Sequence, residues 1–275
     1  GLDPKKRRER MEGAFGRLAS MQVSTGHFSM WGDDGYVNPG LTPYIVEFLL
    51  DARDGGFAVP DAVLQKALQR LNEDLLSGAD SLFYGYDERA HLRFAYQAYA
   101  GYVLARMGRA PLGTLRSLYD SRRKDAKSGL SLVHLGLALS LQGDKKRGEQ
   151  AIAQGFALTR PPNLYLGDYG SPLRDEALMI ALTHERGMAK PAYDTRVMRM
   201  GADIDARRYG SWLYLSTQEQ TALARLGKAL MARKGKTVSG TLSVGGNDQA
   251  IAATRMFGRS FDYAAMASGV RFDPQ

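Results

Sequence analysis

The sequence predicts an all-α fold, a closed α/α toroid of paired inner and outer helices, followed by a short β-rich C-terminal tail. Three observations predict it. Apolar residues recur at three- and four-residue steps over most of the chain, the period of helices with one buried face. Nearly all-apolar helices alternate with polar ones in a repeat of about 40 residues, the trace of stacked helix pairs. After residue 235 the pattern changes to β-leaning stretches around the turn GGND.

Taken in order, Pro4 opens an amphipathic helix over 5–22, with Met11, Phe15, Leu18 and Met21 on one face. The segment 41–52 is apolar nearly all round (Tyr44, Ile45, Val46, Phe48, Leu49, Leu50) and is predicted to be buried. Pro60 stands at the first position of a third helix, 60–76, with Leu64, Leu68, Leu71 and Leu75 along its inner face. After the loop SGADSLFYGYDE comes a largely apolar helix at 91–107, and Pro111 opens a polar one to about residue 124. Ser128 is read as the cap of GLSLVHLGLALSLQG, and Asp144 as the cap of a charged helix reaching 158. Helices at 172–186 and 191–205 and a Ser216-capped helix to 231 complete the series. The helices at 41–52, 91–107, 128–142, 172–183 and 216–231 form the inner set; those at 5–22, 60–76, 111–124, 144–158 and 190–205 form the outer set. An open solenoid shares the repeat, but its inner face is usually a polar groove, so five apolar inner helices favour closure. Strands are predicted at Thr237–Val244 and Ile251–Phe257.

The 275 residues are 44% hydrophobic and 24% charged, which supplies ample core. No run approaches the length of a membrane-spanning helix. The absence of cysteine excludes disulfides, thiolate metal sites and a cysteine nucleophile within this stretch. A basic N-terminus without an apolar region is not a signal peptide. The chain begins on Gly1 and reads as a piece of something longer, with any export signal upstream. Net charge is +8, with clusters at Lys5–Arg10, Arg122–Lys127 and Lys145–Arg147. They lack interleaved aromatics for base stacking, so solvated helix faces are the reading and nucleic acid is not expected as a partner.

The residues hold few signs of chemistry. His27, His91, His134 and His184 have no metal-ligand spacing, and His134 sits mid-helix in an apolar run, where packing is the plainer role. Asp33-Asp34 resembles half of an aspartate-rich diphosphate motif but lacks the further carboxylate, and reads as a turn. No nucleotide, serine-hydrolase or dinucleotide fingerprint occurs, and no metal or cofactor is expected. Arg174-Asp175 places a charge pair one turn into a mostly apolar helix, which requires bonded partners and suggests a tether. Glu219, three residues after Ser216 and between Gln218 and Gln220, fits a capping box. Tyr84, Tyr86 and Asp87 sit on a loop ahead of an inner helix, either facing one end of the toroid as a site or packing there.

Several stretches together carry a resemblance. GHFSMWGDDGYVNPGLTPYIVEFLLDARDGGFAVPDAVLQKAL resembles the thioester-domain segment of bacterial alpha-2-macroglobulins, with its Gly-x-Phe-x-x-Trp loop, Leu-Thr-x-Tyr helix start and Gly-[Tyr/Phe]-x-Val-Pro helix start. FAYQAYAGYVLARMGRAPLGTLRSLYD, DYGSPLRDEALMIAL and WLYLSTQEQTALA agree as well, so the resemblance covers 5–233. It implies a terpenoid-cyclase-like α/α toroid over 1–235, with 236–275 starting a following CUB-like domain. Phe28 and Trp31 would then be anchors of a connector between outer and inner helices, with Gly26 and Gly32 at its turns.

The implied function is protease inhibition by a periplasmic protein, often lipid-anchored. A target protease cuts a bait region, the protein rearranges, and a buried thioester captures the protease. The resemblance therefore implies no enzyme, and as partners target proteases, the other domains of the parent and possible cell-envelope proteins. The thioester needs a Cys-Leu-Glu-Gln motif, which this stretch lacks. Either the motif lies upstream of Gly1, or the parent is a thioester-less noncovalent trap or cell-envelope scaffold. A toroid missing its first helix would show an apolar seam. Tyr84, Tyr86 and Asp87 are candidates for the thioester face. An α/α-toroid enzyme stands as the alternative and demands a central pocket with convergent carboxylates or a metal.

Overall fold

In the computed structural model the described residues are 3–31, 37–161, 164–210, 215–232, 238–253 and 261–274. The outer helices are α1 (Pro4–Met21), α3 (Asp61–Ser77), α5 (Leu112–Arg122), α7 (Lys145–Ala157) and α9 (Ala192–Gly210). The inner helices are α2 (Leu41–Asp54), α4 (Arg89–Arg106), α6 (Gly129–Leu141), α8 (Pro172–Glu185) and α10 (Thr217–Met231). Their ends follow local chemistry. Asp3 caps α1 ahead of Pro4, and Asp144 and Ser171 accept from backbone N–H groups of α7 and α8. Ser216 and Glu219 form the reciprocal capping box of α10. Two expectations shift: Pro60 is the cap of α3 rather than its first residue, and the Ser128 side chain makes no cap bond.

The inner helices run parallel around a ring, packed in the order α2, α4, α6, α8, α10. Parallel alignment follows from the contacts between their ends. Arg106 near the end of α4 reaches Asp51 at 2.7 Å and Asp54 at 2.8 Å near the end of α2, and Gln142 beyond α6 donates to Ala105 O. At the opposite pole, Lys127 pairs with Glu88 and the Ser171 hydroxyl donates to Glu219 Oε1. The ring closes between α10 and α2 through Arg225, whose Nη2 lies 2.9 Å from Glu47 Oε1 and 3.7 Å from Asp51 Oδ2.

The core lies between the two helix sets. Phe28, Phe94, Tyr102, Leu115 and Leu135 are fully buried, and α6 is buried from Gly129 through Leu139. Each buried leucine or phenylalanine contributes roughly 1.5–3 kcal/mol relative to exposure. The pair α6 and α7 meets through glycine. A methyl at Gly129 would lie 2.2 Å from Gly155 O, and one at Gly136 would lie 2.6 Å from Gly148 O. On each helix the two glycines are a heptad apart, which lets the antiparallel backbones touch twice along one stripe.

The tail is an antiparallel sheet of β1 (Val238–Val244), β2 (Asn247–Ala253) and β3 (Val270–Pro274), ordered β2-β1-β3, with a short helix α11 (Tyr263–Ala267) before β3. Gly245 and Gly246 have φ of 57° and 81°, the backbone of a tight two-residue hairpin turn. The second strand therefore starts at Asn247, directly after the turn, and not at the predicted Ile251; residues 254–257 lie outside the described residues. Leu242 and Ile251 are the buried members of this sheet.

Gly136→Ala is expected to lower stability by about 1–3 kcal/mol through overpacking against α7. Gly227→Ala, where the new methyl meets open space inside α10, is expected to raise it by roughly 0.5–1 kcal/mol. Urea unfolding of the two variants checks both signs.

Candidate functional site

The five inner helices enclose a cavity of about 840 Å³ that opens at the pole of their N-termini. Its wall is mixed. Tyr44, Phe48, Leu130, Leu178 and Leu182 give apolar surface, and Glu47, Tyr99, His134 and Arg225 give a polar cluster. The cluster is assembled one residue per helix, from α2, α4, α6 and α10.

Glu47 is its centre. The Tyr99 hydroxyl donates to Glu47, and Arg225 pairs with it while also gripping Glu185 of α8 at 2.7 Å. Burial alone would raise the Glu47 carboxyl; Arg225 overrides it, with help from His134 and the Tyr99 bond, and the net direction is down. Burial and the adjacent carboxylate push the Tyr99 phenol well up, and burial first moves Tyr102 to about 12. His134 stacks on Tyr99 with ring centroids 4.2 Å apart and on Tyr102 at 5.5 Å. Burial pushes its imidazole down to about 4, only partly resisted by Glu47. At neutral pH the cluster therefore holds one carboxylate and one guanidinium in contact, with neutral phenols and a neutral imidazole around them.

The mouth is held by a second buried network. Arg160 binds Asp168, and its Nη1 lies 2.7 Å from Asp175; Arg174 Nη2 lies 2.7 Å from Asp175, and its Nη1 donates to Asp168 O at 2.8 Å. Burial would raise the Asp168 carboxyl, but His91, Arg160 and Arg174 hold it well below the carboxylate range. A side chain at 170 would displace the Arg160 guanidinium, which a methyl there would meet at 2.3 Å. This network welds the loop between α7 and α8 to the starts of α4 and α8, and the Ser171–Glu219 bond adds the start of α10.

The quoted loop ahead of α2 has its own lock. Thr42 Oγ1 lies 3.1 Å from His27 Nδ1 and accepts from the Phe28 N–H, while His27 Nε2 sits 3.3 Å from Asp74, which also binds Tyr96 and Arg70. Phe28 is fully buried, as expected of an anchor. Trp31 is not: it is 79% exposed, and only its backbone N–H is engaged, donating to Ser29 Oγ. Gly26 has φ of 95° and faces Lys66 O, so a side chain there is excluded. Gly32, Asp33 and Asp34 lie outside the described residues.

Of the three loop candidates, Tyr86 and Asp87 line the mouth of the cavity, with Tyr86 packed on Phe83. Tyr84 is 82% exposed, points away from the cavity wall and sits under Arg89. Arg174 and Asp175 are tied down as the sequence suggested, and Glu219 completes its capping box. The residues missed were Glu47, Tyr99 and Arg225. Their signal was present, since a lone glutamate inside LTPYIVEFLL has to find a buried partner. Among the described residues no cluster of three or more histidine, aspartate or glutamate side chains could hold a metal.

Two expected outcomes test the cluster. Arg225→Met leaves Glu47 buried without its cation and is expected to cost about 3–5 kcal/mol, whereas adding Glu47→Gln recovers much of it; urea unfolding of the double-mutant cycle measures the coupling. The unfolded imidazole of His134 protonates near 6.5 and the folded one near 4. Unfolding therefore takes up a proton between those values, so stability is lost as pH falls through that window and is unaffected above it. His134→Phe, which keeps the stacking, is expected to remove up to roughly 3 kcal/mol of that acid loss. A smaller slope from His27, also lowered by burial, remains. Urea midpoints measured from pH 7.5 to 4.5 read the difference.

No family model matches the chain. Individual proteins do. It is 65% identical, over its whole length and 17% of theirs, to an alpha-2-macroglobulin of Xylella fastidiosa strain Temecula1. It is 38% identical to the alpha-2-macroglobulin of Escherichia coli K12, over 86% of this chain and 14% of that one. Among solved structures, a Salmonella alpha-2-macroglobulin reacted with methylamine superposes with a TM-score of 0.83 at 32% identity, covering 100% of this chain and 17% of that chain. The native E. coli protein gives 0.80 at 33%, covering 93% of this chain and 16% of that one. With likeness running the full length in sequence and backbone alike, the chain is a segment of the bacterial alpha-2-macroglobulin family.

Proposed function

We propose that this chain is the thioester-type helical domain of a protease-trapping protein, with no turnover of its own, and that residues from 236 onward begin a CUB-like domain. The parent acts in the periplasm, in some forms lipid-anchored. A target protease cuts its bait region, and the other domains of the parent move relative to the toroid. One observation carries the reading. The E. coli relative activated by porcine elastase has a TM-score of 0.76 to this chain over its whole length, at 30% identity. A trypsin-activated form of the same relative is also similar, at 33%.

The chain contains no cysteine. Capture is covalent in the parent only where a Cys-Leu-Glu-Gln motif stands upstream; otherwise the protein is a noncovalent trap or an envelope scaffold. In the covalent case Tyr86 and Asp87 at the cavity mouth are the shielding candidates, and Tyr84, turned to solvent, is not. The enzyme alternative has less support: of the carboxylates lining the cavity, Glu47 and Asp51 pair with Arg225, Glu88 with Lys127 and Asp168 with Arg160.

Incubating the full-length parent with trypsin, with and without prior methylamine, tests this. A covalent trap is expected to incorporate labelled methylamine and to form an adduct that survives denaturing electrophoresis. Protection of large substrates' cleavage without an adduct identifies the noncovalent form. Trypsin that stays fully active on large substrates sinks the proposal.

A further inference from the structure

The ring of inner helices has one seam. Along the series α2, α4, α6, α8 and α10 each helix packs on the next, whereas α10 and α2 are joined by the Arg225 side chain. The cavity runs along this seam. Leu41, Tyr44 and Phe48 line it from α2, and Gln218, Thr221 and Arg225 from α10. Both sets step by three and four residues, so each helix offers the cavity the kind of stripe that helices bury against one another. Neither stripe is fully covered: Tyr44 is 44% exposed, Gln218 and Thr221 are exposed, and Leu41 and Phe48 are half-buried.

The wall does not call for an ionic occupant. Glu47 and Asp51 pair with Arg225, Glu88 with Lys127, Asp168 with Arg160, and Arg174 with Asp175. Of the charged residues in the wall that leaves Asp87 and Lys228, one of each sign, outside the ion pairs among the described residues. What the wall leaves open is a hydrogen bond. His134 is 5% exposed, lies in the cavity wall and stacks on Tyr99, yet among the described residues neither ring nitrogen has a hydrogen-bond partner. A neutral imidazole carries one donor and one acceptor, and leaving them buried and unmatched is costly. An occupant that is apolar along most of its length and brings one hydroxyl or amide to His134 answers both features. A helix also satisfies its own backbone N–H and C=O groups, for which this wall has few partners.

The chain spans 17% of the length of its Xylella fastidiosa relative, so a parent of that size holds most of its residues elsewhere. A segment tethered in the same polypeptide reaches the seam at an effective concentration that a free partner rarely matches. We infer that the cavity between α2 and α10 is the seat of a neutral, largely apolar helix from the part of the parent outside this chain, and that His134 receives one hydrogen-bonding side chain of that helix. This rests on membership of the family and not on the protease-trap reading, so a parent that fails to trap trypsin leaves it standing.

The test uses the full-length parent with the photo-cross-linking residue p-benzoylphenylalanine in place of Tyr44 or, separately, Thr221. After irradiation, mass spectrometry identifies the attached peptide. Both positions are expected to label one peptide of the same polypeptide, outside these 275 residues, with apolar side chains at three- and four-residue steps. The same probe in place of Met198, exposed on the outer helix α9, is expected not to label it. The inference is overturned if nothing is labelled, or if the label falls within these 275 residues, on another protein, or on a second copy distinguished by isotope mixing. In the same parent, His134→Phe keeps the ring stacking but loses the hydrogen bond. It is expected to speed hydrogen exchange of the labelled peptide by about fivefold and to leave exchange in α3 and α5 unchanged. Exchange that stays the same in the labelled peptide overturns the part assigned to His134.

Discussion

The closure of the ring depends on one buried ion pair. Around most of the circle, inner helices meet through apolar side chains, and burial of that surface is enough to hold them. Between α10 and α2 the contact is made by the long side chain of Arg225, which reaches Glu47, Asp51 and Glu185 on two other helices. A guanidinium suits this task because its planar fork can hold several carboxylates at once. A buried ion pair is costly to desolvate, so the cluster has to be complete, and Tyr99 supplies the further bond that Glu47 needs. The cavity follows from the same fact, since helices bridged by side chains leave space that packed helices do not.

Polar networks divide the labour at the two ends of the ring. At the N-terminal pole, Arg160, Asp168, Arg174 and Asp175 turn an irregular loop into a rigid rim, and His27, Thr42 and Asp74 do the same for the loop entering α2. Both networks are buried and nearly saturated with hydrogen bonds, the condition under which buried charge is tolerated. At the C-terminal end, Arg106 pairs with Asp51 and Asp54, two carboxylates that reach solvent.

Much of this was legible in the sequence. Helical periodicity located all ten principal helices within a few residues, because amphipathic spacing, proline and cap residues report on local structure. The alternation of apolar and polar helices disclosed the inner and outer sets for the same reason. Three things were not legible. Trp31 looked like an anchor because large aromatics usually are buried, yet it stands exposed three residues after the fully buried Phe28. The second strand was placed late because Asn247 and Asp248 have turn-forming side chains, while the two glycines before them already complete the turn. Finally, Glu47, Tyr99, His134 and Arg225 are far apart in the chain, and only the closed ring makes them neighbours.

The glycine stripe between α6 and α7 has a mechanical consequence. Two backbones that touch at both ends of a shared stripe cannot slide or tilt without collision, so this pair moves as one stiff strut. The junction of α10 and α2, spanned by flexible side chains, has no such restraint. Compliance in the ring is therefore unevenly distributed, and a force applied to the domain by its neighbours would be taken up at the Arg225 junction while the opposite wall keeps its shape.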